Sequence, residues 1–217
     1  MVKIAHASMD ERRKLSGGSP GDQTGKEVCI RDWYSRPWSH VLRIKKPAMR
    51  EKVAEAMERA ANNPNIGYNQ SRRNTLLTYA RKEDYDPGKV KALCDTDCSA
   101  LVSLACMYAG IPESTLYKNG NSSTTGNLRS RLKGYVEVLT GKEYTARPDK
   151  LLRGDILLYE GHHVAVVVDT GPRKSIHDVA LEVLDGKWGN GTERLKRLDE
   201  AGYDSSMVQE EVNRLCK

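Results

Sequence analysis

Apolar residues recur three and four positions apart along some stretches of this chain and alternate with polar ones along others. From Cys98 to Ala109, the residues Leu101, Val102, Ala105 and Ala109 fall on one face and Gly110 follows. That spacing predicts a helix that stops at the glycine. Met49–Ala61 repeats the pattern with Val53, Met57 and Ala60, and Asn74–Lys82 reads as a further helix. Lys26–Trp33 alternates as a strand does. Ile156–Tyr159 and His163–Val168 are short apolar runs joined by Glu160-Gly161-His162, and they read as two strands. After Asp169 the chain passes through Gly171-Pro172, a strong punctuator, and the pattern becomes helical throughout. Val179, Ala180, Val183 and Leu184 form one stripe ended by Gly186. Leu195 and Leu198 form a second, closed by Gly202. Val208, Val212 and Leu215 form a third behind a cap at Asp204 or Ser205. The expected division is a body over residues 1–171, a linker over 172–176 and a small three-helix bundle over 177–217. Strands and helices mix in the body, so the fold class is α+β.

Composition narrows this picture. The chain has 217 residues, enough for one sizeable core and a small module. Mean hydropathy is −0.64 and no apolar run approaches the length of a membrane span, so membrane insertion is not expected. Met1-Val2-Lys3-Ile4-Ala5-His6 lacks the apolar core of a secretory signal. Five irregularly spaced cysteines (Cys29, Cys94, Cys98, Cys106 and Cys216) suit reduced thiols better than a disulfide framework. Residues 174–217 carry seven basic and nine acidic side chains, leaving 28 basic and 20 acidic in the rest. A basic body suits a polyanionic partner.

The chemistry concentrates at Asp97-Cys98-Ser99. There a cysteine opens an amphipathic helix, where unsatisfied N–H groups and the helix dipole favour a thiolate. Position alone also fits a buried, inert cysteine. A second element shifts the balance. His163 begins an apolar strand, where an imidazole can reach a helix N-terminus, accept a thiol proton and later protonate a leaving amine. His162 reads as a loop histidine. Cys94 and Cys98 with His162 and His163 have tolerable zinc spacing, but nothing else in the chain calls for a metal. No recognised nucleic-acid module is present and basic residues interleave with acidic ones, as in Arg81-Lys82-Glu83-Asp84.

Asp97-Cys98-Ser99, Arg153-Gly154-Asp155-Ile156 and His163-Val164-Ala165-Val166-Val167 together resemble the NlpC-type cell-wall cysteine peptidases and their amidase relatives. The resemblance implies a papain-like domain with an antiparallel sheet and packed helices, Cys98 as nucleophile and His163 as base. In that family further strands follow the histidine strand, whereas here the helical tail follows. Lys3-Ile4-Ala5-His6-Ala7-Ser8 resembles the family strand that carries the residue orienting the imidazole. The resemblance therefore implies a circular permutation. Residues 3–8 would lie beside residues 163–168, His6 would touch His163, and Lys26–Trp33 and His40–Lys45 would close the sheet. Asp169, Gln23 and Glu27 are the reserves for the third role. Tyr68, in Ile66-Gly67-Tyr68, resembles a groove-lining tyrosine and is equally suited to a structural place.

The tail resembles the CW-seven cell-wall-binding repeat of phage lysozymes through Gly186-Lys187-Trp188-Gly189-Asn190-Gly191, Arg194, Leu198, Ala201-Gly202-Tyr203-Asp204 and Val212-Asn213. The resemblance implies a module for the muramyl-peptide unit of peptidoglycan, with Lys187, Trp188, Asn190, Arg194 and Asp204 as binding residues; Trp188 equally suits this small module's core. The two resemblances imply a phage-type endolysin that needs no cofactor or metal. Its partner would be peptidoglycan, with no nucleic acid. It would accumulate in the cytoplasm of the producing cell before release to the wall, and a homo-oligomer would be one way to multiply a lone repeat. A non-catalytic wall-binding protein is the rival expectation.

Overall fold

The computed structural model describes residues 1–9, 13–171 and 174–216. The chain divides into two compact units, Met1–Asp169 and Thr170–Lys217. The first runs β1 (Lys3–Ala7), β2 (Val28–Asp32), β3 (His40–Ile44), α1 (Pro47–Ala61), β4 (Ile66–Tyr68), α2 (Thr75–Ala80), β5 (Cys94–Thr96) and α3 (Cys98–Tyr108). It continues through α4 (Glu113–Leu116), β6 (Tyr117–Lys118), β7 (Asn121–Ser122), α5 (Leu128–Leu132), β8 (Val136–Leu139), α6 (Lys142–Thr145), β9 (Ile156–Tyr159) and β10 (His163–Asp169).

Six strands form an antiparallel sheet in the order β2-β1-β10-β9-β3-β8. The most N-terminal strand is thus an inner strand. Ile4 pairs with Val167 and Ala5 with Val166 on one side, and His6 pairs with Cys29 on the other. β2 and β3, both expected to close the sheet, lie on opposite sides of the β1–β10 pair. The central strands β10 and β9 are buried on both faces, which explains why β10 reads as a continuous apolar run. Val164, Val166 and Val168 pack with α1 and α3, while Ala165 and Val167 pack with Ile4, Trp38, Val41 and Leu157.

Two glycines in the stretches singled out by sequence have steric reasons. Gly154 has φ +84°, and a Cβ there would collide with the Arg50 carbonyl. A Cβ on Gly67 would meet the Asp22 carbonyl oxygen at 2.6 Å. Asp155, beside Gly154, takes a two-pronged contact from Arg43 at 2.9 and 2.6 Å and accepts the Leu152 N–H at 2.8 Å. It thereby fastens the start of β9 to β3.

The second unit holds α7 (Ile176–Leu184), α8 (Gly191–Glu200) and α9 (Ser205–Leu215). Ser175 and Asp178 form a reciprocal capping box at the start of α7. The Asp204 side chain caps α9 by accepting from the N–H groups of Ser206 and Met207. The apolar core is Val179, Ala180, Val183, Leu198, Val208 and Val212. Leu184 and Leu195, expected on the inner stripes, are instead 47% and 42% exposed. Leu198 is the single fully buried residue of α8, so that helix packs along a narrow edge. Among the described residues no helix is long and apolar enough to cross a membrane.

Candidate functional site

The short parallel pair β4–β5 delivers the chain to the start of α3, with Tyr68 opposite Thr96. Asp97 follows as the helix cap, with extended backbone and its Oδ1 accepting the Ala100 N–H at 2.7 Å. Cys98 is therefore the first helical residue, and it is 7% exposed.

The sequence gives no sign of the group that grips Asp97. The buried Arg73 guanidinium donates from Nε to Asp97 Oδ2 at 2.5 Å and from Nη2 to Oδ1 at 3.1 Å. Its other bonds reach Ser99 Oγ at 2.9 Å, Asn121 Oδ1 at 2.7 Å and the carbonyls of Ser122 and Ser123 at 3.0 and 2.6 Å. One planar fork ties the start of α3 to the β7 strand, a geometry that arginine satisfies and lysine does not. An arginine just ahead of a helix carries no local signature, because its partners lie more than twenty residues away in sequence.

His163 opens β10 and His6 lies on β1, with 6% and 2% exposure. Their rings meet edge to face, with His6 Nδ1 3.0 Å from His163 Nε2. That contact occupies Nε2 of His163 and leaves Nδ1 for another partner. Trp38 stacks against His163 with centroids 6.1 Å apart, and Tyr34 lies 6.3 Å from His6. These aromatics precede β3 and shield the imidazoles; sequence reasoning assigned them no place. The Val164 backbone N–H, on the residue after His163, acts on the Cys98 thiol to favour its anion, so the two side chains come from adjacent ends of α3 and β10. Among the described residues no hydrogen bond joins the thiol to His163 itself. Such contacts commonly tighten only when substrate is bound.

Electrostatics set the resting protonation. Burial, then the Asp97 carboxylate, pushes the Cys98 thiol up to about 12, while the Val164 and Ser99 N–H groups and Arg73 pull it back. Burial, then His6 and Arg36, lowers His163 to about 3. Burial, then Arg31 and Arg36, lowers His6 to about 4. The resting set is a neutral thiol with two neutral imidazoles, so proton transfer must accompany attack. Tyr68 is raised to about 12, by burial first and then by Cys98, which places its hydroxyl within the thiol's electrostatic reach. Gln70 Nε2 donates to that hydroxyl at 3.0 Å.

The reserve candidates lie elsewhere. The Gln23 amide donates to the carbonyls of Asn63 and Ile66, Glu27 accepts the Gly25 N–H, and Asp169 pairs with Lys3 in the sheet register. His162 is exposed and stacks on Tyr159 at 4.2 Å. Cys94 is buried against the Asn65 carbonyl. Among the described residues no group of three or more His, Cys, Asp or Glu side chains could hold a metal.

In the second unit Trp188 is half-buried. Its Nε1 donates to Glu182 at 3.2 Å and its ring meets Tyr203 at 5.9 Å. It packs on the small core while keeping part of its surface open. Arg194 donates to Gln209 at 2.8 Å, and exposed Lys187 pairs with Asp185 at 3.0 Å. Asn190 is the α8 cap residue without a side-chain cap bond, and Asp204 is committed to capping α9.

Comparison with known proteins adds three findings. A family model described as an endolysin-like domain matches residues 4–174. A second, the CW_7 repeat, matches residues 177–216. A lysozyme of Streptococcus phage Cp-7 is 38% identical over 74 residues, which is 34% of this chain and 20% of that protein. The match thus spans about one fifth of the relative's length. No solved structure gives a significant match.

Proposed function

The chain belongs to the endolysin-like domain family, and from that membership we propose that it hydrolyses peptidoglycan, cleaving an amide bond of the stem peptide through Cys98, His163 and His6. The observation that carries this reading is the buried His6–His163 contact at the end of the strand next to the Cys98 helix start. In the reaction, the Cys98 proton passes to His163 Nδ1 as the sulfur attacks the amide carbonyl carbon. His6 holds the ring through Nε2. The tetrahedral intermediate collapses with C–N cleavage, and His163 returns the proton to the departing amine. A thioester remains, and water activated by His163 hydrolyses it and restores the thiol. The Cys98 backbone N–H at the start of α3 supplies a donor for the oxyanion. Neither step needs a metal or an organic cofactor.

A papain-like arrangement in permuted order fits the inner position of β1, because the imidazole-orienting strand must lie beside the histidine strand. The tail carries the wall-binding role in this reading, with Lys187, Trp188, Asn190, Arg194 and Asp204 around the muramyl-peptide unit. The relative's name raises a second reading, glycosidic cleavage. That chemistry needs two carboxyl groups facing a sugar, one of them held protonated. The buried aspartates here are engaged otherwise: Asp86 by Arg59, Asp95 by Arg72, Asp97 by Arg73 and Asp155 by Arg43.

Mass spectrometry of digested walls separates the two. Amide cleavage yields new amino termini or stems freed from muramic acid, and Cys98→Ser or His163→Ala abolishes them while Cys29→Ser and Cys216→Ser do not. New reducing sugar ends that persist in Cys98→Ser would overturn the amide reading. A wall-binding protein without activity would release neither product.

A further inference from the structure

We propose that Arg73 masks the charge of Asp97, so that the helix cap can hold the Cys98 nucleophile in place without opposing formation of its thiolate. The inference rests on Cys98 being the nucleophile.

The start of α3 contains a conflict. A carboxylate is an effective cap, and Asp97 fills that place by accepting the Ala100 N–H at 2.7 Å and the Ser99 hydroxyl at 3.0 Å. The same carboxylate is the immediate neighbour of a thiol that must become an anion. With both groups largely removed from water, two adjacent negative charges repel strongly. Arg73 resolves this by engaging both Asp97 oxygens with two nitrogens. The ion pair is nearly neutral as a unit, yet one lone pair of Oδ1 remains on the helix N–H.

The fork is held in register by its remaining donors, which end on Asn121 and on the Ser122 and Ser123 carbonyls. Those acceptors are neutral, so the guanidinium charge is answered by Asp97 among the described carboxylates. The other titratable groups facing the thiol are Tyr68 from β4, His163 from β10 and, behind it, His6 from β1. All three are neutral at rest. Asp97 and Arg73 are thus the two formal charges beside the thiol, and they act on it in opposite directions.

The thiol's reactivity reads this balance without reference to peptidoglycan. Below its pKa, the rate of alkylation by iodoacetamide follows the thiolate fraction. Mass spectrometry of the Cys98 peptide separates it from the other four cysteines. Arg73→Gln keeps hydrogen-bond donors and removes the charge. A rise of about one unit in thiol pKa lowers the thiolate fraction about tenfold. Higher intrinsic nucleophilicity partly offsets this, so alkylation should slow by about three- to tenfold at neutral to mildly alkaline pH. Adding Asp97→Asn, which keeps a capping oxygen, should restore the rate. A purely structural role for Arg73 predicts no such rescue. Equal rates in Arg73→Gln and the unaltered protein would overturn the proposal, as would a failure of the double variant to recover.

Should Arg73→Gln not fold, Asp97→Asn alone provides the test. It leaves the guanidinium unopposed and should speed alkylation, whereas an unchanged or slower rate would overturn the proposal. Wall lysis by Cys98→Ser, by contrast, would remove the nucleophile assignment and leave these rates untouched.

Discussion

Around Cys98 the first unit gathers side chains from β1, the segment before β3, the residue ahead of α2, the start of α3 and the start of β10. The His6–His163 pair alone is 157 residues apart in sequence. The second unit places its candidate residues within one short local stretch: Lys187, Trp188 and Asn190 between α7 and α8, Arg194 on α8 and Asp204 ahead of α9. The first arrangement is buried, with imidazoles under aromatic cover and the helix cap held in an arginine fork. The second is half-open and rests on six buried apolar side chains. A site that must desolvate a thiol and tune its proton needs a large core around it. A site that must grip a polymer from outside needs exposure and little else. The larger unit should therefore fail abruptly when its frame is disturbed, and the smaller by degrees.

The largest expected effect tests the frame. Ala5 lies on an inner strand between β2 and β10 and is fully buried. Ala5→Asp puts a lone carboxylate into that core, a cost the marginal stability of a domain cannot absorb. All lytic activity and the near-ultraviolet circular dichroism of the first unit should vanish, while retention on purified walls persists through the tail. Loss of both together would show that the tail does not act alone.

The second prediction removes the tail. Linking a weak site to another that binds the same polymer raises avidity by about 10²–10⁴-fold when both can engage. A chain ended after Lys174 should keep its cleavage specificity on soluble wall fragments and lose most activity on intact walls. The loss should deepen with salt, since the basic first part then depends on attraction that ions screen. Lysis of purified walls against salt concentration, for both chains, is the measurement; coincident curves would refute a binding role for residues 177–216.

How far each site could be read from sequence follows the same contrast. The start of α3 was legible because a cap, a cysteine and an apolar stripe are local signals, and β10 was legible as a run of valines. The place of β1 beside β10 came from the resemblance, since five residues with two alanines carry little signal of their own. The stretch from Ile111 to Leu152 yielded nothing. Its helices span four or five residues and its strands two to four, too short for periodicity to emerge. Arg73, Tyr34 and Trp38 were missed because their partners are distant in sequence. In the tail the stripes indicated three helices, yet Leu184 and Leu195 point outward, because so small a core cannot cover every apolar position.

A third prediction uses pH to probe the buried imidazoles. An unfolded histidine takes up its proton near 6.5, whereas His6 and His163 stay neutral in the fold until about 4 and about 3. Between these limits the unfolded chain binds more protons. Stability is therefore unaffected by these groups above 6.5 and falls as pH drops below it. From pH 6.5 down to about 5, before most carboxylates titrate, the urea midpoint of the first unit should decline. His6→Gln should make that decline shallower, and an identical slope would show that His6 is not held neutral.

The smallest expected effect concerns Trp188, whose two suggested roles the structure partly separates. Its indole N–H is already taken by Glu182 and its ring meets Tyr203 at right angles, so a ligand would meet the part of the ring these leave open. Trp188→Phe keeps an aromatic face and much of the packing but gives up the hydrogen bond. A bond of that kind, half-exposed, contributes about 0.5–1.5 kcal/mol. The tail's thermal midpoint should drop by about 2–12 °C, since each kcal/mol lost shifts a small domain by about 4–8 °C. Retention on walls should stay within about threefold, because a stacked ring loses little of its 1 kcal/mol-scale contribution when another aromatic replaces it. Trp188→Ala removes ring and packing together and should lower both. Should Trp188→Phe weaken retention as much as Trp188→Ala does while leaving the midpoint unmoved, the indole N–H itself would be the ligand contact, and Glu182 would be holding it only until the wall arrives.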